Sequence, residues 1–395
     1  MTIGRWARML LLAAPLLAGC ANFWQAPGTA TSPGCTTNCT TATSGNFYIL
    51  NAGTTPQIVG ESIVSGKLTT LSGSPWTVTG SPYSITMAPN GNFLCVSSTS
   101  GVFAYPISGG SLGTATVVSQ DPAYAIQVDA TSSWLVEAFP VTGGGGVTFG
   151  AVPISSTNGA NAGSELTASF TVANSAVQPN RMVLSGDNSN IFLALGTGGT
   201  IVVPFNSTTP FPSGTRAATI PVSNTASGAA LSVAVDPGKA PRLFYIGETL
   251  ANSAGNSGGL RAFNYSSLGS SALTQASGSP IASGGLAPSF LLPISSGGYV
   301  YVANGAGTST AGNIAGFAIT ASSSTYTVAT GKTVAAGVQP LGLAEDANDT
   351  FVLAVASQGS PYFDSYTFDT TTTGQLDTQI VSTTAASSIA IVAAP

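Results

Sequence analysis

From Phe47 onward the chain shows no helical periodicity; short runs of Val, Ile, Phe and Tyr alternate with clusters of Gly, Ser, Asn and Pro, the pattern of short strands separated by turns. One unit recurs. A residue that is often proline is followed by apolar positions three and five later, a turn, and a second apolar strand starting eleven later. It reads Pro82, Ile85, Met87, Asn90-Gly91 and Phe93 to Val96; again Pro288, Leu291 and Tyr299 to Val302; and again Pro340, Leu343 and Phe351 to Val355. Looser copies follow Pro122, Pro179 and Ala230. A seventh is split between the chain ends: Ser388 to Val392 is a first strand with nothing after it, and Asn46 to Asn51 a second strand with nothing before it.

Third strands follow at Gly101 to Tyr105, Gly199 to Val203, Gly259 to Phe263, Gly312 to Phe317 and Tyr362 to Tyr366, with a fourth before each next unit. The mean period of about 51 residues is enough for a four-stranded antiparallel sheet with its loops. These features predict an all-β seven-bladed β-propeller of four-stranded antiparallel blades over residues 46–395, its ring closed by the C-terminal inner strand pairing with the N-terminal strand. Radial stacking buries both faces of every sheet, which is why the strands read as nearly continuous apolar runs. Tandem β-sandwiches also give short strands at regular spacing, but they give no reason for complementary half-units at the two chain ends.

The repeat at 82–96, Tyr299-Val-Tyr-Val-Ala-Asn304, and the phrase Leu-Thr-x-x-Ser-Gly-Ser-Pro at 68–75 and 273–280 resemble the lactonase-type propellers, the 6-phosphogluconolactonase-like and YVTN-repeat proteins. The phrases specify blade geometry, with Asn-Gly making a tight turn, and carry little about activity. The resemblance implies Arg, His and Glu around one channel mouth, with a Pro-Arg-His phrase opening an inner strand and a Glu closing the next strand. Here the phrase is Pro179-Asn180-Arg181, and the glutamate has an approximate counterpart in Glu248, one blade later. Arg181 and Glu248 are therefore the candidate catalytic pair; the alternative is a solvated ion pair or two unconnected charges. The chain has no histidine, so a Ser-His-Asp triad is excluded, and lactone hydrolysis would need a glutamate of raised pKa as base.

Composition narrows the rest. Only 6% of residues are charged, 9 Lys and Arg against 14 Asp and Glu, for a net charge of -5. That leaves no basic footprint for nucleic acid. It also fits an acidic surrounding, because a chain with few ionisable groups repels itself little when its carboxylates protonate; compositional drift is the alternative. Arg5 and Arg8 precede an apolar run from Met9 to Leu17, the layout of an export signal and too short for a bilayer span. It ends Leu17-Ala18-Gly19-Cys20, which resembles a bacterial lipobox. Residues 1–19 are then a lipoprotein signal peptide, with Cys20 the lipidated residue and residues 20–45 a flexible Ser/Thr/Gly/Pro tether. Ala21 implies the outer membrane in a Gram-negative cell. An ordinary signal peptide is the alternative, and palmitate labelling separates the two.

Cys35 and Cys39 could close a small disulfide loop in an oxidising compartment, and without histidine they do not complete a zinc site. Asp346-Ala-Asn348-Asp349 reads as a polar turn in preference to a calcium loop, because it lacks alternating Asp spacing and a closing Glu. Glu345 reads as an exposed strand end in preference to a channel-lining site or an Arg partner. Trp24, Trp76 and Trp134 read as packing residues, with sugar stacking the alternative because Trp76 and Phe139 flank blade loops. No cofactor or metal is expected. The picture is of an exported, lipid-anchored monomer in the cell envelope, a surface binding or scaffold module whose channel mouth takes a glycan, a small lactone or a protein. The alternatives are an extracytoplasmic lactonase acting on a sugar lactone and a structural envelope protein without ligand.

Overall fold

The computed structural model describes residues 43–395, apart from 65–66, 142, 173–176, 238–241, 251–257, 266–272, 296, 306–310, 323–324, 360–361, 370–371, 373 and 383–385. Residues 1–19, expected to be a signal peptide, and Cys20, the pair Cys35 and Cys39, and Trp24 lie outside the described residues. Every regular element among the described residues is a strand, and every pairing is antiparallel.

The repeat becomes a ring of sheets. Ser388–Ala393, Thr43–Asn51, Gln57–Val64 and Lys67–Thr70 lie side by side, with Trp76–Thr77 completing the outer edge. The two ends of the chain are zipped in register, Tyr48 opposite Val392, Ile49 opposite Ile391 and Leu50 opposite Ala390. The next sheets run outward from inner strands Pro82–Met87, Ala125–Val128, Arg181–Leu184 and Ala230–Val235. In place of seven separate blades, the hydrogen bonding among the described residues gives six sheets, the last with seven strands. The cause is one long strand, Thr325–Glu345. Its first part, to Val338, pairs with Ala311–Ser322, and its last part, from Val338, pairs with Phe351–Gln358. No break in hydrogen bonding separates the outer strand of this repeat from the inner strand of the next.

Period-two alternation explains the burial. Phe47 and Ile49 pack with Leu353, Val355 and Phe363 on one side of their sheet, while Tyr48 and Leu50 pack with Ile85, Leu94 and Val96 on the other. Such apolar layers recur between successive sheets, and one lies within the seven-stranded sheet, where Phe290, Tyr301 and Ile314 meet Leu343, Val352 and Tyr366. Burying each large side chain contributes roughly 1.5–3 kcal/mol. The ring is therefore held by faces that exist only while both neighbours are present.

The recurring proline has a structural reason. Each inner strand is an edge facing the channel, and proline brings no unpaired N–H to that edge. The pairing shifts register just after this position, between Pro82 and Ser84, Ala230 and Ser232, Pro288 and Phe290, and Pro340 and Gly342. These are β-bulges, which re-aim side chains at sheet edges. At the other end of the inner strands one tight turn repeats, closed by Gly91 N–H to Ala88, Ser132 N–H to Asp129, Asn188 N–H to Ser185 and Asp349 N–H to Asp346. Its closing residue takes positive φ, 72° at Gly91 and 52° at Asp349, which glycine, Asn and Asp tolerate best. The Asp346 carboxylate accepts hydrogen bonds from Thr350 N (2.7 Å), Phe351 N (2.5 Å) and Asn348 N (3.4 Å). Asp129 does the same for Ser133 N and Trp134 N. The acidic phrase at 346–349 is thus a side-chain-braced turn.

Candidate functional site

The proline-marked ends of the inner strands surround one mouth of the central channel. Much of the polar material there is spent holding neighbouring inner strands together. Asn180 Nδ2 donates to the Ala230 carbonyl (3.1 Å), Ser232 Oγ to Pro288 (2.7 Å) and Ser289 Oγ to Pro340. These bonds cross from one inner strand to the next and satisfy carbonyls that an edge strand leaves open.

What remains forms a cavity of about 500 Å³. Tyr83 and Tyr124 form one wall, their rings stacked with centroids 4.7 Å apart and planes inclined by 22°. Gln178, Asn180 and Gln339 supply amides around the rim, and Leu231, Pro179 and Pro340 complete an apolar lining. Gln339 already accepts a bond from Ser357 Oγ (3.0 Å). No carboxylate is among the described residues that line this cavity.

Arg181 stands one residue deeper than Asn180. Its guanidinium carbon lies 3.6 Å from the centroid of the Phe290 ring. Phe290 belongs to the sheet two places round the ring, with Ala230–Val235 between them, so the side chain reaches over the channel to cap that ring. A cation over an aromatic face gains about 0.5–2 kcal/mol, more as water is excluded. Burial lowers the Arg181 pKa to about 9, so the group is still a cation at neutral pH. Among the described residues its contact is this aromatic face, with no acidic partner.

Glu248 is engaged elsewhere. It closes Arg242–Glu248, where Oε1 accepts from Arg261 Nη1 at 2.6 Å and Oε2 accepts from Ser223 N at 3.0 Å. Arg261 also donates to the Pro221 carbonyl (2.8 Å) and to Gln275 Oε1 (3.1 Å), and its guanidinium lies over the Phe263 ring. Glu248 and Arg261 are both buried. The structure therefore gives Glu248 to Arg261 and Arg181 to Phe290, and does not bring the two sequence candidates into one hydrogen-bonded pair. The sequence pointed to Arg181 through the Pro179 phrase but gave no sign of Arg261, whose partner lies on an adjacent strand of the same sheet. Arg261→Ala is expected to cost about 3–5 kcal/mol, because it strands a buried carboxylate. A lowered urea midpoint with an unchanged m-value checks this.

The opposite mouth holds Glu345, which is half-buried and not the exposed strand end expected. Its Oε2 accepts from Ser295 N (2.7 Å), Ser295 Oγ donates to Asp349 (2.6 Å), and its Oε1 is buried without a partner. Burial raises its pKa to about 7, with Asp349 and Asp346 adding to the rise. Trp76 packs against Gly60 and the Tyr48 ring, and Trp134 donates from Nε1 to the Ser207 carbonyl (2.6 Å); both are packing residues.

No protein-family model and no curated protein sequence matches the chain. Among solved structures, the periplasmic gluconolactonase of Pseudomonas aeruginosa matches with a TM-score of 0.67 at 16% identity, over 90% of this chain and 99% of that one. A 6-phosphogluconolactonase candidate from Bacteroides uniformis matches with a TM-score of 0.66 at 18% identity, over 88% and 98%. A functionally unknown protein from Desulfotomaculum acetoxidans matches with a TM-score of 0.63 at 10% identity, over 88% and 98%. At these identities the likeness shows the fold, an all-β propeller that hosts more than one function.

Proposed function

We propose that the chain opens a sugar lactone at the channel mouth, with Arg181 as the cation that holds the carbonyl oxygen. The observation that carries the reading is the Arg181 guanidinium, set in the channel without an acidic partner among the described residues, just below a cavity walled by paired tyrosines. Tyrosine faces suit the C–H face of a sugar ring, and Gln178 offers hydrogen bonds to hydroxyls. A carbonyl oxygen gains negative charge as water adds to its carbon, and a fixed cation stabilises that charge most in the transition state. The ring C–O bond then breaks, a proton from the added water passes through solvent to the departing oxygen, and a hydroxy acid results. Its carboxylate would rest on Arg181. The fold shared with a solved gluconolactonase supports the same substrate class.

The second reading is binding without turnover, and one observation favours it: no carboxylate among the described residues lines the mouth to activate water. Without a positioned base the rate should follow hydroxide concentration, rising with pH until Arg181 loses its proton near 9. The test is pH-stat titration with gluconolactone, corrected for spontaneous opening, beside calorimetric binding. Turnover that falls about 100-fold in Arg181→Gln supports the hydrolase. Saturable binding without turnover supports the module, and absence of both overturns the site.

We further propose that the seven-stranded sheet acts as two blades, giving seven in all, supported by the apolar layer inside it; sevenfold pseudo-symmetry in an experimental structure tests this. Export, lipidation at Cys20 and an envelope location with no partner beyond the membrane anchor and the ligand rest on the N-terminal segment and composition.

A further inference from the structure

A second feature lies away from the channel, between the sheet of Pro82–Met87 and the sheet of Ala125–Val128. Glu137 sits on Trp134–Pro140, in the middle of an apolar layer that includes Cys95, Val118, Leu135 and Val152. It is fully buried, and neither carboxyl oxygen has a hydrogen-bond partner among the described residues. Glu165 lies beside it and also carries a buried, unpartnered oxygen, Oε1. The two share one face of their sheet: Glu137 is opposite Gly150, and Gly150 is opposite Thr167, two residues beyond Glu165. A Cβ on Gly150 would overlap the Glu165 carboxylate, so the glycine leaves the space in which that carboxylate rests.

These carboxyls stand behind a surface groove of about 350 Å³ lined by Ser119, Asp121, Asn161, Val152 and Glu165. Glu137 is directed at this groove: beyond burial itself, the charges of Glu165 and Asp121 raise its pKa, the nearby Ser119 hydroxyl lowers it, and all three residues line the groove. Asn161 bridges the walls by donating to the Val118 carbonyl (2.8 Å). An unpaired carboxylate is among the costliest groups to bury, and here three orphan oxygens lie behind one groove that has no basic side chain in its described lining.

We propose that this groove binds a primary ammonium group, which inserts between Glu165 and Glu137. Three acceptors without donors match the three N–H donors of –NH₃⁺, at ordinary hydrogen-bond distances and with charge assistance. Among the described residues no set of three or more Asp, Glu, Cys or His side chains converges as metal ligands, which favours the ammonium over a divalent ion. The apolar walls, Val117 among them, suit an alkyl stem behind the charge. Burial and the neighbouring carboxylates hold the Glu137 pKa up at about 8, so the carboxyl is largely protonated at neutral pH, and ammonium binding should release a proton.

The probe is putrescine, titrated into the intact protein at pH 7.5 in two buffers of different ionisation enthalpy. The expected result is saturable binding with proton release, weakened ten-fold or more in Glu137→Gln and in Glu165→Gln. Tetramethylammonium, which has charge but no N–H donors, should not bind. Equal responses to putrescine and tetramethylammonium would reduce the effect to charge screening and overturn the proposal. So would tighter binding of calcium than of putrescine, unaltered affinity in both variants, or no putrescine binding at all. Circular dichroism and melting of the variants establish that they fold, and each glutamine keeps the shape of the side chain it replaces.

Discussion

Deleting residues 386–395 is expected to abolish cooperative folding of the ring. The strand Ser388–Ala393 gives Thr43–Asn51 its inner partner, in register from Phe47 with Ala393 to Leu50 with Ala390 and then, after a bulge, Asn51 with Ser388. The Ser388 hydroxyl also bonds to buried Asn51 (3.0 Å). The deletion empties two apolar layers at once, since Ile391 packs with Phe47 and Leu353 while Ala390 packs with Tyr48 and Leu94. It leaves Thr43–Asn51 as a bare apolar edge, a template for aggregation. Burial of Ile391 alone contributes roughly 1.5–3 kcal/mol. The lost strand pairing and the exposure of Phe47 to Leu50 bring the total near the 5–15 kcal/mol typical of a whole domain. Calorimetry and gel filtration should show a broad, early transition and higher-order species. A truncated chain with the parent melting temperature would show that the ring does not depend on this closure.

That closure was legible in the sequence because it rests on local information repeated many times. The unit at Pro82 places its turn and second strand by backbone rules, and the halves at Asn46 and Ser388 complete one another by the same pattern. The count of separate sheets was less legible. Thr325–Glu345 contains Pro340, the mark of an inner strand, yet hydrogen bonding runs through Val338 without a break, because the residues ahead of that proline pair outward while those after it pair inward. Individual side chains were least legible. Arg181 could be placed in the channel from the Pro179 phrase, but its partner Phe290 comes from the sheet two places on. Glu137 sits in Leu-Val-Glu-Ala-Phe, where alternation puts it on the face shared with Leu135 and Phe139. The strand pattern thus showed that it would be buried, but its lack of a counter-charge depends on Glu165 and Asp121 arriving from the ends of two other strands, Leu166–Thr171 and Thr116–Ser119.

Acidification from pH 8 to pH 5 is expected to stabilise the protein, the reverse of ordinary acid denaturation. Burial raises the pKa of Glu137 to about 8, of Glu345 to about 7 and of Asp364 to about 6, and moves Glu61, Glu165 and Asp346 in the same direction. An unfolded carboxyl titrates near 4, so between about pH 4 and pH 8 the folded chain holds more protons than the unfolded one, and stability falls as pH rises. The contribution is complete below the unfolded pKa and is lost through the folded values, with Glu137 the last to go. Each tenfold gain in proton affinity on folding corresponds to about 1.4 kcal/mol, so Glu137 alone accounts for roughly 3–5 kcal/mol at pH 8. Melting should rise by about 5 °C or more on going from pH 8 to pH 5. Self-repulsion does little to reverse this on the acid side, because protonating every carboxylate leaves only 9 Lys and Arg in 395 residues. Glu137→Gln separates this cause from a general effect of charge. The neutral amide removes the ionisation cost, so the variant should melt higher than the parent at pH 8 and close to it at pH 5. Equal pH slopes in variant and parent would show that Glu137 is not the buried group that sets the trend, and a parent that melts higher at pH 8 than at pH 5 would mean that its buried carboxyls find counter-charges on folding.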